Sequence, residues 1–304
     1  MRRRTFLAGI AVLAPAAALA TEALADTAPM PVVATFSILG DMTKQVGGHA
    51  IAVRTFVGPD GDAHTYQPTP GDLRALTQSK VLVKNGLGLE GWLDRLTGAA
   101  GFKGTTVVAA AQVQPRTMKE EGGAITTDPH AWQDPRNGVL YAQAIGEGLA
   151  DADPAHADAY RQAANGFAAQ IAQMESWIEA QLSPIPKDQR RIITTHDAFG
   201  YYGARYDIEF LAPEGISTEF EPSARNIAAL IAQIKREKIH AVFIENMTSP
   251  RMAKMLARET GATLGGTVYS DALSPPGGPA PTYLSMLRHN TTLFAAAMRA
   301  PAKS

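Results

Sequence analysis

The 304-residue chain contains no cysteine. A disulfide framework is excluded, and so is any metal site built on thiolate. An ion held by this protein has to be held by nitrogen and oxygen. Charge of one sign is also missing: charged residues are 19% of the chain and the formal net charge is -1. No basic surplus points to nucleic acid, and no acidic tail points to a solvating arm. The chain lacks HExxH and GxSxG, the local signatures of zinc peptidases and of α/β hydrolases. It has no repeat of short period and no low-complexity segment. Its one long apolar run, Phe6 to Ala20, is shorter than the roughly 20 residues a membrane-spanning helix needs.

That run belongs to a leader. Arg2, Arg3 and Arg4 precede it, and Ala23-Leu24-Ala25 follows as a small-x-small cleavage site. Residues 1–25 therefore read as a signal peptide, with the mature chain starting near Asp26. Arg3-Arg4-Thr5-Phe6-Leu7 also resembles a twin-arginine export signal. Cleavage would remove three arginines and Glu22 and shift the net charge to -3. With no cysteine to carry a lipid, the expectation is a freely soluble periplasmic protein.

The mature part reads as two α/β lobes. In the first, residues 26–152, strands are expected at Pro31–Ser37, Ile51–Val57, Lys80–Asn85 and Thr105–Ala109. Helices are expected at Ile38–Val46, Gly71–Gln78 and Leu89–Thr97, and another near Pro135. In the second, residues 185–304, strands are expected at Arg191–Thr195, Ile208–Ala212, Ala241–Glu245 and Gly265–Tyr269. Its helices are expected at Ala198–Tyr206, Ala224–Glu237, Pro250–Gly261 and Thr282–Met298. Strands alternating with helices imply mostly parallel sheets. Between the lobes, residues 153–184 form one long linker helix. Asp153-Pro154 suits a helix start, with Asp153 as the cap. Tyr160, Phe167, Ile171, Met174, Ile178 and Leu182 recur on one face, and Ser183-Pro184-Ile185-Pro186 ends it. At about 1.5 Å per residue it spans roughly 40 Å, enough to reach from lobe to lobe and resist a large hinge motion.

Three of the seven histidines share a setting. His64, His130 and His196 each lie in or beside a strand-to-helix loop. In open α/β sheets, ligands bind outside the carboxyl ends of the strands. Singly, each is an ordinary surface or capping histidine; together, two from one lobe and one from the other can converge in a cleft. Imidazole suits zinc, copper, iron and nickel, and zinc takes four ligands. Asp271, just after a second-lobe strand, is the best fourth. Glu245 also ends a strand at the cleft. It reads chiefly as a cap of the next helix, and otherwise as a group orienting a ligand imidazole. Asp62, Asp128 and Asp197 have similar scope, and Glu219, Glu221 and Arg225 suit the cleft rim. His49, His156, His240 and His289 read as structural or solvated.

Seven segments carry a resemblance. They are Ala34-Thr35-Phe36-Ser37-Ile38-Leu39-Gly40-Asp41, Asp62-Ala63-His64-Thr65-Tyr66-Gln67-Pro68, Asp128-Pro129-His130-Ala131-Trp132, His196-Asp197-Ala198-Phe199-Gly200-Tyr201, Glu221-Pro222-Ser223, Phe243-Ile244-Glu245 and Asp271-Ala272-Leu273. Through them nearly all of the mature chain resembles the cluster A-I (cluster 9) solute-binding proteins of zinc and manganese ABC importers. The resemblance implies two α/β lobes joined by one backbone helix, with the metal in the interlobe cleft on His64, His130, His196 and Asp271. It implies a monomeric binding protein rather than an enzyme. Its partner would be an ABC transporter membrane permease, with a periplasmic metallochaperone as a further candidate. Zn2+ is the expected cargo, with Mn2+ or Fe2+ as the alternative, because the manganese branch typically places a carboxylate where this chain has His196. The usual histidine-rich loop of the zinc branch is missing: Gln112 to Thr127 has no histidine, and Lys119-Glu120-Glu121 is its only notable charge. A zinc-dependent hydrolase, a binder of iron chelates or corrinoids, and a surface adhesin are the rival classes.

Overall fold

The computed structural model describes residues 28–119, 125–219 and 222–299. The leader and Glu221 therefore lie outside the described residues. The first sheet holds β1 (Met30–Phe36), β2 (Ile51–Val57), β3 (Val81–Lys84) and β4 (Thr105–Val108) in the order β2-β1-β3-β4. The second holds β7 (Arg191–Ile193), β8 (Glu209–Leu211), β9 (Ala241–Glu245) and β10 (Thr263–Val268) in the order β10-β9-β7-β8. Every pairing in both sheets is parallel. Read in chain order, the two sheets wind identically. The winding reverses between β1 and β3 in one and between β7 and β9 in the other, which opens a crevice at each carboxyl edge.

The helices α1 (Ser37–Gly47), α2 (Pro70–Gln78), α3 (Leu93–Ala100) and α4 (Pro135–Ala152) complete the first lobe. The linker helix is α5 (Ala157–Leu182), and α6 (Gly200–Tyr206), α7 (Ala224–Glu237), α8 (Pro250–Thr260) and α9 (Tyr283–Arg299) complete the second. All six residues of the expected apolar face on α5 are buried. Helix α5 packs on α4 and α1 at one side and on α9 at the other. Among the described residues no helix is long and apolar enough to cross a membrane.

One hydrophobic core runs through both lobes, joining Val32, Ala34 and Phe36 of β1 to Ile171 and Ile178 of α5 and to Phe243 of β9. The other sheet faces carry smaller clusters, with Val33 and Leu82 in the first lobe and Ile193 and Val242 in the second. Burial on both faces explains why these strands are continuous apolar runs.

Several expectations need correction. Helix α3 starts four residues later than expected, at Leu93, and β10 starts two residues earlier, at Thr263. Helix α6 starts at Gly200 rather than Ala198. Asp153 is not a side-chain cap: Pro154–His156 is a separate tight turn, and the carboxylate instead takes His156 Nδ1 at 2.7 Å and the Tyr160 hydroxyl at 2.9 Å. The segment before His130 is not a plain loop. Its ends form an antiparallel ribbon, β5 (Arg116–Lys119) with β6 (Ile125–Asp128).

Candidate metal centre

The four side chains singled out above meet at one point. His64 is held in the β2–α2 loop, where Asp62 Oδ1 accepts its backbone N–H at 2.8 Å. Trp92 Nε1 donates to the neighbouring Ala63 carbonyl at 2.9 Å. Asp62 Oδ2 accepts from the Thr218 hydroxyl of the other lobe at 2.7 Å, so this loop is fastened across the cleft. His130 follows β6, a strand of the added ribbon rather than of the parallel sheet. Asp128 Oδ1 accepts both its backbone N–H, at 3.0 Å, and its Nδ1, at 2.8 Å. His196 lies just past β7. Asp271 lies three residues past β10, where the preceding Ser270 carbonyl accepts from Trp132 Nε1 at 2.9 Å and Gln133 Nε2 at 2.7 Å.

One atom from each of the four lies within 4.8 Å of all the others. Nε2 of His130 is 3.2 Å from Nε2 of His64 and 3.4 Å from Nε2 of His196. Asp271 Oδ2 is 3.1 Å from His64 Nε2 and 3.3 Å from His196 Nε2, and Oδ1 is 3.6 Å from His130 Nε2. A regular tetrahedron with bonds of about 2.0 Å has edges of about 3.3 Å. These separations are what four donors around one small cation require. His130, His196 and Asp271 are fully buried, and the His64 side chain is 5% exposed. Both Asp271 oxygens are buried and accept no hydrogen bond. A buried carboxylate without donors is costly unless a cation faces it.

The imidazoles are aimed from behind. Glu245 Oε2 touches His196 Nδ1 at 2.5 Å. Glu245 Oε1 accepts from the backbone N–H of Thr195 and of His196, each at 2.8 Å, and from the Thr195 hydroxyl at 2.7 Å. Glu245 does not cap the following helix; Ser249 does, accepting from the Arg251 N–H. Its place at the β7/β9 crevice turns it towards the site instead. Asp128 and Glu245 thus stand behind His130 and His196. A proton on each Nδ1 leaves the Nε2 lone pair facing the centre. Asp197 makes no such contact; its backbone N–H goes to the Gly215 carbonyl. Glu219 and Arg225 are exposed.

Sequence reasoning missed the supports supplied by Trp132, Gln133 and Tyr201. Their polar atoms reach backbone carbonyls far along the chain, and no local pattern marks such contacts. Of the other histidines, His289 Nε2 pairs with the Thr267 carbonyl at 2.9 Å and His156 with Asp153, both away from the site.

The charges are coupled. Burial pushes the His130 pKa down, but Asp271 and the bond to Asp128 outweigh it and hold it up at about 9. Burial likewise pushes the His196 pKa down, but Glu245 with Asp271 outweighs it and holds it well above its ordinary value. Burial would raise Asp271, but His196 and His130 hold it well below the usual carboxylate range. Glu245 is lowered in the same way by His196. The pocket is therefore arranged to favour positive charge at its centre.

The chain is similar to known proteins over most of its length. The family model for zinc-uptake complex component A, periplasmic (ZnuA), matches residues 32–297. The iron-binding protein YfeA of Yersinia pestis is 33% identical over 272 residues, 89% of this chain and 87% of that one. The manganese-binding lipoprotein MntA of Halalkalibacterium halodurans is 31% identical over 274 residues, 88% of each chain. Among solved structures, the periplasmic zinc binding protein TroA of Treponema pallidum superposes with a TM-score of 0.83 at 26% identity, covering 88% of this chain and 99% of that one. A manganese-bound mutant of a periplasmic metal binding protein from Candidatus Liberibacter asiaticus gives a TM-score of 0.81 at 28% identity, covering 88% and 98%.

Proposed function

Because the chain belongs to the ZnuA family of metal-binding proteins of ABC importers, which are not enzymes, we propose that it captures zinc on His64, His130, His196 and Asp271 and releases it to a membrane permease. The observation that carries this reading is the Asp271 carboxylate, fully buried, without a hydrogen-bond donor, and ringed by three imidazole Nε2 atoms. Three nitrogens and one oxygen at tetrahedral spacing favour zinc over manganese, which prefers six oxygen-rich ligands. The names of the relatives, iron-binding and manganese-binding, favour Mn2+ or Fe2+ as the alternative. In that reading both Asp271 oxygens serve as donors.

A hydrolytic zinc centre keeps an open position for water; in the zinc-capture reading four protein donors would fill the tetrahedron. The lobes fall at 26–152 and 185–304 with the linker helix between. We place the mature protein free in the periplasm, since it has no cysteine for lipid attachment, and working as a monomer.

The test is direct. Purified mature protein, stripped and then titrated with zinc and manganese in competition, should prefer zinc strongly. Tight retention of manganese against equimolar zinc would sink the zinc assignment. Wild-type affinity in each of His64→Ala, His130→Ala, His196→Ala and Asp271→Ala would sink the site.

A further inference from the structure

We propose that Tyr201 is a positioning residue for the metal site, acting through Asp128 on His130, so that the second lobe sets where this first-lobe ligand stands. The proposal rests on the metal reading above. The β5–β6 ribbon leaves the first lobe, and its last rung pairs Arg116 with Asp128. One hydroxyl closes that rung: Tyr201 OH, on α6, accepts the Arg116 backbone N–H at 2.9 Å and donates to the Asp128 carbonyl at 3.1 Å. The Arg116 guanidinium lies over the same ring, 5.5 Å from its centroid.

The neighbouring residue presses on the other end of Asp128. A Cβ on Gly200 would stand 2.7 Å from Asp128 Oδ2, so α6 lies directly against the carboxylate whose Oδ1 aims His130. Beyond the ligand, Trp132 and Gln133 both donate to Ser270 of the second lobe, and the Tyr283 hydroxyl donates to the Trp132 carbonyl at 2.6 Å. The segment bearing His130 is therefore tied to the second lobe on both sides of the ligand. His130, His196 and Asp271 stand on one block, and Tyr201 is its fastening on the Asp128 side.

A tyrosine that merely packs the interface would affect stability alone. Cobalt(II), a spectroscopic stand-in for zinc, separates the two roles. Tyr201→Phe should shift the cobalt absorption bands and weaken zinc binding about tenfold, the low end for loss of an outer partner. Tyr202→Phe is the matched control: it also loses a buried hydroxyl contact, to Thr291 Oγ1 at 2.7 Å, and should change neither spectrum nor affinity. Gly200→Ala keeps the tyrosine but drives a methyl group at Asp128, and should shift the spectrum too. Wild-type bands and affinity in Tyr201→Phe would overturn the proposal; should that variant not fold, an unchanged spectrum in Gly200→Ala would overturn it. Failure of the wild type to take up either zinc or cobalt would instead bring down the metal reading, and this proposal with it.

Discussion

Asp271 carries the largest unmet demand of any side chain in the site, because its two oxygens are buried and take no hydrogen bond. The histidines around it meet that demand with protons or with a metal, which makes metal capture a proton exchange. Asp271→Asn should weaken zinc binding by more than the roughly 10- to 100-fold expected for an outer partner, and isothermal titration would show it. Glu245→Gln keeps shape but removes the charge behind His196; its loss should fall within that 10- to 100-fold range, and an unchanged affinity would assign Glu245 to packing. The pH dependence has a definite sign. His130, raised from 6.5 to about 9, and His196, also raised well above its ordinary value, stabilise the metal-free fold fully below pH 6.5. The His130 contribution disappears as pH rises through about 9. Asp271 and Glu245, both lowered, add stability above the ordinary carboxylate range and lose it only as pH falls through their depressed values. Metal-free protein should therefore melt at a lower temperature at pH 9.5 than at pH 6.5, and a flat profile between them would contradict the coupling. At the level of single residues, the candidate set that meets in the structure was legible because each candidate stood in or beside a strand-to-helix loop. Glu245 was harder: a carboxylate ending a strand reads equally as a cap, and only the neighbouring strand β7 brings His196 to it.

Elements explain how the donors are held in place in the folded chain. Helix α2 opens on a full capping box, in which Thr69 Oγ1 accepts from the Asp72 N–H at 3.3 Å and Asp72 Oδ2 accepts from the Thr69 N–H at 2.8 Å. The same carboxylate accepts from the Tyr66 hydroxyl at 2.8 Å, two residues from His64. The loop bearing that ligand is thereby fixed at its far end. Helix α5 is legible in the sequence because its apolar spacing is continuous and no proline interrupts it. Ile171 at its centre is fully buried in the shared core. Ile171→Ala should cost about 2–5 kcal/mol in denaturant melts while leaving zinc affinity close to wild type, since α5 contributes no donor. The β5–β6 ribbon was illegible for the opposite reason. Arg116–Lys119 and Ile125–Asp128 contain little apolar alternation, so their pairing depends on contacts such as Tyr201 that lie far away in sequence.

At the scale of the whole molecule, the lobes share one core and one helix. Closure around a metal is therefore a small adjustment, not the wide hinge of binding proteins joined by loops. Small-angle scattering should show nearly the same radius of gyration with and without zinc. Thermal melts should differ markedly: at a zinc concentration a thousand times the dissociation constant, the stabilisation is about 4 kcal/mol. A large change in shape with little change in melting would reverse this picture. The sequence by itself determined the donor chemistry, the strand-and-helix rhythm and the strut, because residue type, hydrophobic period and proline placement act locally. Only the tertiary structure decided which carboxylate stands behind which imidazole, that Asp271 is left without a donor, and that His130 is held by the second lobe. Apart from Asp128, two residues from His130, those are contacts between residues tens to hundreds of positions apart, and they exist only once both sheets have packed on the same core.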